Sequence, residues 1–485
     1  MNKIKSFIHP ISQNQLKYII VGFILLLNSF LFLVSQKVDI TNIQRRLDAS
    51  GFSHDKAQHF AYFHYYKNLF PLATLDTNLT YSKEGAETLI TEKGENLIME
   101  YQHWSRLGEN ARIFAYLPNS IVRGSPKNPS VKLFNALIFT LSLIFCFISF
   151  HSIQQTILGL LLVLTVNLTP FFWYEIYDNE NIFGLLGSAL LLIIALNAKL
   201  IFNREVNFLA IVIPILSGLL IGIFSEIRGE LSIILVSALF IYIISKSLKI
   251  ALKPIYILLL VGSFFASKQY INNYFDSKFD ESYTIVKENG GHTYDGGKIK
   301  RHKLWHPIFC GLGDFDTKYG YEWNDRVAYK YAIPILKSKY NLDLKYSDKL
   351  HLDEYYDKDK IYYKKFDEID EYEKVMKDKV LSDISNDPFW YIAIILKRIN
   401  RILISTLPFP LLGYVMLFLL YYLLLHKEQE LINLLLLSVP LSFTPLFIYS
   451  GDQATYNSFF GFIVFVIILD LLINKFYISK TEITE

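Results

Sequence analysis

The chain has 485 residues, 52% of them hydrophobic, with 38 Phe, 33 Tyr and a formal net charge of only +3 from 48 Lys and Arg against 45 Asp and Glu. That apolar share, with a positive mean hydropathy, argues against a water-soluble enzyme or a disordered chain and points to an integral membrane protein. The near balance of charge gives no support to a nucleic-acid partner, and the two cysteines, Cys146 and Cys310, do not make a disulfide framework.

Uninterrupted apolar windows lie near residues 16–34, 131–150, 155–173, 181–201, 207–224, 231–244, 254–267, 409–425, 431–449 and 457–474, most of them near the roughly 20 residues a bilayer-crossing helix needs. The first reads as a signal anchor, because it is too long for a signal-peptide core and no small-residue cleavage site follows it. The expected fold is therefore an all-α polytopic membrane protein of about ten spans. A signal-anchor span covers 1–34, a first extracytoplasmic loop 35–130 and a six-span core 131–267. A second extracytoplasmic loop with an interfacial helix covers 268–408, and three spans with a cytoplasmic tail cover 409–485.

Orientation follows from the short connections. With the N-terminus in the cytoplasm, Lys3, Lys5, Lys17, Lys199, Arg204, Lys246, Lys249, Lys253, Lys427, Lys475 and Lys480 fall inside, and Arg228 alone falls in a short outer turn. Both long loops then face outward, and the C-terminus returns to the cytoplasm. Localisation to the cytoplasmic membrane, with several passes, is the resulting expectation.

In the first long loop, 53–69 reads as a helix opened by His54 and Asp55, with Ala57, Phe60, Ala61, Phe63 and Tyr65 as its apolar face, and a second helix is expected around 110–121. In the second loop Asn324 caps a helix carrying Val327, Ala328 and Tyr331. Tyr372, Val375, Met376 and Val380 mark another that ends before Asp387 and Pro388. From Phe389 to Ser405 apolar residues alternate with Lys397, Arg398 and Arg401, the pattern of a helix lying in the headgroup plane. Such a helix is either a passive brace or a cationic shelf for a lipid phosphate, with Arg398 and Arg401 as its donors.

The chain has no phosphate-cradling glycine loop, nucleophile elbow or Cys-pair metal spacing, so nucleotide-driven pumping and serine hydrolysis have no support. Carboxylates instead gather at the expected outer face: Asp39, Asp48 and Asp55; then Glu175, Asp178 and Glu180; then Glu226 and Glu230 beside Arg228. A carboxylate there can act as general base toward an acceptor hydroxyl, while a guanidinium forks onto a departing lipid phosphate. Transfer from a lipid phosphate needs no nucleotide, and neither cofactor nor metal is expected. The plain alternative is that these acids are solvated turn residues and that Glu226, Arg228 and Glu230 pair among themselves.

The arrangement resembles the GT-C membrane glycosyltransferases, including protein O-mannosyltransferases and aminoarabinose transferases. The likeness rests on His54-Asp55-Lys56-Ala57-Gln58-His59 with Tyr62, Lys132-Leu133-Phe134-Asn135-Ala136, Pro170 to Asn181, Ser217 to Glu230 with Gly218, Gly222 and Arg228, and Pro388 to Arg401. It covers about the first 270 residues and that late segment, by topology more than by text. It implies a polyprenyl-phosphate-linked sugar as donor, a glycan, lipid or protein as acceptor, Asp55 as base with Asp39 as the alternative, and Arg228, Glu226 and Asp178 near the donor. The family's acidic pair is Asp55-Lys56 here, which leaves the choice of base open. Other readings are a polysaccharide polymerase or ligase using a diphosphate-linked glycan, and a membrane transporter, against which the nearly charge-free spans weigh.

The run from His302 to Asp325 remains. His302 and His306 stand four apart with Cys310 and two Asp behind, a zinc donor set if the run is helical. Pro307 and the glycine-rich turn argue against a continuous helix. The alternatives are a packed aromatic turn without a site, or a surface for sugar or headgroup that includes His302 and His306 and closes over the reaction centre.

Overall fold

A computed structural model describes residues 13–35, 111, 114–115, 118, 132–149, 185–202, 211–288, 304–342, 352–357, 360–365, 370–404, 406, 411–443, 446 and 467–468. Helices dominate, as the composition demands. They are α1 (Gln13–Ser35), α2 (Lys132–Ser149), α3 (Leu185–Leu196), α4 (Val212–Ile227), α5 (Ile234–Ile244), α6 (Lys253–Glu288), α7 (Trp305–Leu312), α8 (Asp325–Tyr340), α9 (Asp370–Asn386), α10 (Pro388–Ile404), α11 (Leu412–Leu425) and α12 (Gln429–Phe443). The helices agree with the all-α expectation; beside them one short hairpin, β1 (Leu352–Asp357) and β2 (Lys360–Lys365), pairs antiparallel. Their register sets Asp353 opposite Lys364 and Asp357 opposite Lys360, and the Tyr pairs in both segments suit a strand.

Helices coincide with the apolar windows expected near 16–34, 131–150, 181–201, 207–224, 231–244, 254–267, 409–425 and 431–449. The windows near 155–173 and 457–474 lie almost wholly outside the described residues, as do the helix expected over 53–69 and most of that over 110–121. Among the described residues one helix, Ile250–Tyr274 with its 25 residues, is long and apolar enough to cross a membrane; α1 to α5, α11 and α12 contribute shorter apolar stretches.

Two cores follow from the side chains. The first, an apolar bundle, is built by α1 to α6, α11 and α12. Its tightest pair is α4 with α6, and glycine is the reason. A Cβ on Gly218 would stand 2.1 Å from Ser263 Oγ and 2.2 Å from the Leu260 carbonyl oxygen, and one on Gly222 would stand 1.9 Å from Ser267 Oγ. The partners of Gly218 precede those of Gly222 along α6, so α4 and α6 run parallel and α5 returns between them. Buried polarity in this bundle ties helices together at Asn197, whose Nδ2 donates to Ile193 O (2.8 Å) and Ser217 Oγ (3.0 Å), while Tyr242 OH donates to Asn197 Oδ1 (2.6 Å). Its outside is apolar instead, with Leu258, Phe265, Phe418 and Leu425 all exposed.

The second core joins α7, α8, α9 and α10 around Phe309, Tyr321, Tyr329, Tyr372, Met376 and Trp390. Asn324 caps α8 as the sequence implies, its side chain accepting from the Arg326 N–H at 3.0 Å. Asp387 caps α10 by accepting from Trp390 N–H at 3.1 Å, with Pro388 in the first helical position where its missing donor costs nothing. The helix α10 buries Trp390, Ile394, Arg398 and Ile402 and leaves Phe389, Ile392 and Leu396 exposed.

Candidate functional site

Charge collects where the last turn of α4 meets the middle of α6. Glu226, buried in the last turn of α4, lies 3.0 Å from Lys268 Nζ on α6. Two residues on, Arg228 pairs with Glu230: Nη2 donates to Oε1 at 2.8 Å, and Nε stands 2.8 Å from Oε2 in an ion pair. The parallel register puts Glu226 and Lys268 at one end of the pair, and α5 begins just beyond Glu230. Lys246, Lys249 and Lys253 sit at the opposite end, where α5 stops and α6 starts. Lys268 escaped the sequence reading. Its position directly after the apolar window 254–267 was the available signal, but only the register of α4 against α6 makes it the partner of Glu226.

Asp39, Asp55, Asp178 and His302 lie outside the described residues. So the structure brings Glu226 and Arg228 together at one turn and carries no geometry for the first-loop acids.

Arg398 takes a place that the sequence did not foresee. It is 1% exposed, and its guanidinium donates to the Gly311 carbonyl at 2.7 Å and to the Leu446 carbonyl at 3.0 Å, with Asp314 Oδ2 at 3.7 Å. Burial draws its pKa down, and the Asp314 carboxylate opposes that pull. Its donors serve protein carbonyls, so the shelf role expected of it is corrected to that of a tie between α10, the end of α7 and the segment after α12. Arg401 instead rests over the Phe315 ring, 4.3 Å from its centroid.

The helix α7 corrects the reading of Pro307. Proline was expected to break any helix through His306 and Cys310, yet α7 runs from Trp305 to Leu312. Pro307 falls in the first turn, where no intrahelical N–H partner is lost. The remaining first-turn donors are met from another helix: the buried Glu373 carboxylate of α9 accepts from Trp305 N–H at 3.1 Å and His306 N–H at 3.3 Å. Of the aromatic residues between His302 and Asp325, Phe309 and Tyr321 are fully buried in the second core, and Trp323 is exposed.

His306 is buried against Tyr329 (ring centroids 5.1 Å apart), with Nδ1 2.5 Å from Tyr372 OH. Its Nε2 faces Asp325 Oδ1 at 3.1 Å and Cys310 Sγ at 3.8 Å, and Cys310 Sγ stands 3.8 Å from the same carboxylate oxygen. Burial pushes the Cys310 thiol up, and the adjacent carboxylate pushes it further. Without a cation beside it, Cys310 is a neutral thiol and a poor nucleophile. Asp325, the first residue of α8, is the member of this group that sequence reasoning missed.

No protein-family model, curated protein or solved structure matches this chain.

Proposed function

We propose that the protein is an integral membrane glycosyltransferase. It moves a sugar from a polyprenyl-phosphate donor to a glycan, lipid or protein acceptor at the outer face of the cytoplasmic membrane. The observation that carries this reading is the charged turn at the end of the glycine-packed α4 and α6 pair, where Arg228 is held by Glu230 beside the Glu226–Lys268 pair. Small residues at four-residue spacing on both helices suit close packing in lipid. The exposed apolar surface of the bundle and the lysines gathered at its other end fit a multi-pass protein with that charged turn outside. The apolar stripe Phe389, Ile392 and Leu396 along α10 fits a helix lying at the interface.

In the proposed reaction the acceptor oxygen bonds to the anomeric carbon as the bond from that carbon to the phosphate oxygen breaks, with inversion. The acceptor proton passes to a first-loop carboxylate, Asp55 or else Asp39. The departing phosphate, left with an added negative charge, is met by Arg228, whose guanidinium is held by its pairing with Glu230. Glu226 flanks this turn, and Asp178 is assigned to the donor side from the sequence resemblance. Each step is carried by side chains and the donor's own activated bond.

The test uses purified protein in liposomes with synthetic short-chain polyprenyl-phosphate sugars. Asp55→Asn keeps the shape and removes the ionisable group, so sugar release and transfer fall by about 100-fold or more with abundance intact. Arg228→Lys loses the planar guanidinium and weakens donor use. Normal turnover of Asp55→Asn with loss in Asp39→Asn moves the base to Asp39. A wild-type protein that neither cleaves nor transfers any such donor, or reporter fusions near residue 340 that read as cytoplasmic, sinks the reading.

A further inference from the structure

The three heteroatoms around His306 form a nearly equilateral triangle, with sides of 3.1 Å (Nε2 to Oδ1), 3.8 Å (Nε2 to Sγ) and 3.8 Å (Sγ to Oδ1). Tetrahedral zinc with its usual bonds to nitrogen, sulfur and oxygen sets such atoms about 3.3 to 3.6 Å apart. The observed sides straddle that span, so an ion at the centre needs shifts of only a few tenths of an ångström. We propose that His306, Cys310 and Asp325 form a site for a zinc-class divalent ion, with a fourth coordination position left open beside the exposed Asp325.

Each part of the surroundings suits this use. His306 and Cys310 are four apart on one face of α7, so both donors project together. Asp325 reaches them from the start of α8 and brings the charge that a divalent ion requires. The mixed nitrogen, sulfur and oxygen set selects a borderline transition metal over calcium or magnesium, which favour oxygen alone. The other ring nitrogen of His306 is engaged by Tyr372 OH, the outer contact that holds a ligating imidazole in one orientation. Glu373 fixes the first turn of α7 and thereby the direction of the His306 side chain. The ion would tie α7 to α8 and neutralise the carboxylate that otherwise lies against a buried thiol. This site stands independently of the proposed sugar transfer, because metal content reports it without any turnover.

The experiment uses the full-length chain, free of any polyhistidine tag, purified in detergent, loaded with zinc or cobalt(II) and freed of excess metal. One equivalent of zinc per chain is expected, and cobalt(II) should show the thiolate-to-metal charge-transfer band of a cysteine ligand. Cys310→Ser should remove the band and weaken retention by about 100-fold or more, whereas Cys146→Ser should keep both. Tyr372→Phe should keep the band and weaken retention by about 10- to 100-fold. Should His306→Ala fail to fold, these conservative variants still decide. A folded wild type that retains no metal and shows no band, or a Cys310→Ser protein that binds as the wild type does, overturns the site and leaves a hydrogen-bonded cluster alone.

Discussion

In the apolar bundle the buried polar side chains are mostly short and neutral, Ser142, Ser188, Asn197, Ser217, Ser237 and Ser438 among them; the α7 to α10 unit instead buries His306, Glu373 and Arg398. The bundle answers its polar atoms locally or one helix away, as where Ser237 donates to Leu437 O at 2.8 Å. The unit answers them with charged groups, Glu373 reaching Trp305 and Arg398 reaching both Gly311 and Leu446. Glycine and serine set approach distance in the first region, and ionisable groups set which elements meet in the second. Damage to the first is therefore a matter of volume, and damage to the second a matter of stranded charge.

The largest effect follows from that contrast. Arg398→Met removes the donor to two carbonyls and the cation beside the Asp314 carboxylate, at a cost of about 3 to 5 kcal/mol by the usual scale for breaking a buried pair. Thermal melts and protease nicking between α10 and α11 should both show it, and an unaltered melt would make Arg398 dispensable as a tie. Next comes Gly222→Val in the bundle, where overpacking against Ser267 and Phe264 costs about 1 to 3 kcal/mol. Gly222→Val paired with Ser267→Gly should recover part of that loss; absence of rescue would detach the effect from this contact. Tyr242→Phe removes the donor to Asn197 Oδ1 and costs about 1 kcal/mol in the same melt.

The smallest effect lies on the surface of the unit. Lys318 Nζ stands 2.6 Å from Asp387 Oδ2 and, together with the Trp390 N–H, holds the Asp387 carboxyl below its ordinary value. A depressed folded-state pKa means that the pair contributes above the ordinary carboxylate range and is lost as pH falls through the lowered value. Wild type and Asp387→Asn should accordingly differ slightly at neutral pH and melt together in acid, with the neutral difference shrinking in high salt. A difference that persists in acid would assign the effect to helix capping alone.

Much of the architecture was legible because apolar windows and caps are local properties. The windows became α1 to α6, α11 and α12, and Asn324 and Asp387 sit at the helix starts that their residue types suggest. The misses share a cause. Pro307 was judged by its type without its position in the first turn, and the cap that rescues that turn, Glu373, lies 68 residues from Trp305. Arg398 read as a cation for a ligand because spacing reveals which face a residue occupies but not what covers that face. Asp325 and Lys268 gained their partners only when helices were set side by side.

The uninterrupted length of α6 has a mechanical consequence. A helix of 36 residues from Lys253 to Glu288 is a rod about 54 Å long, clamped near its first half by Gly218 and Gly222 of α4. Its apolar stretch ends at Tyr274, yet the rod continues without a break. A rocking of α6 in the glycine groove by about 10° would sweep its far end through roughly 4 Å over the 14 or so residues beyond Tyr274 alone. Were α6 to rock there, a small change in how Ser263 and Ser267 seat against α4 would be levered into a larger displacement at Glu288.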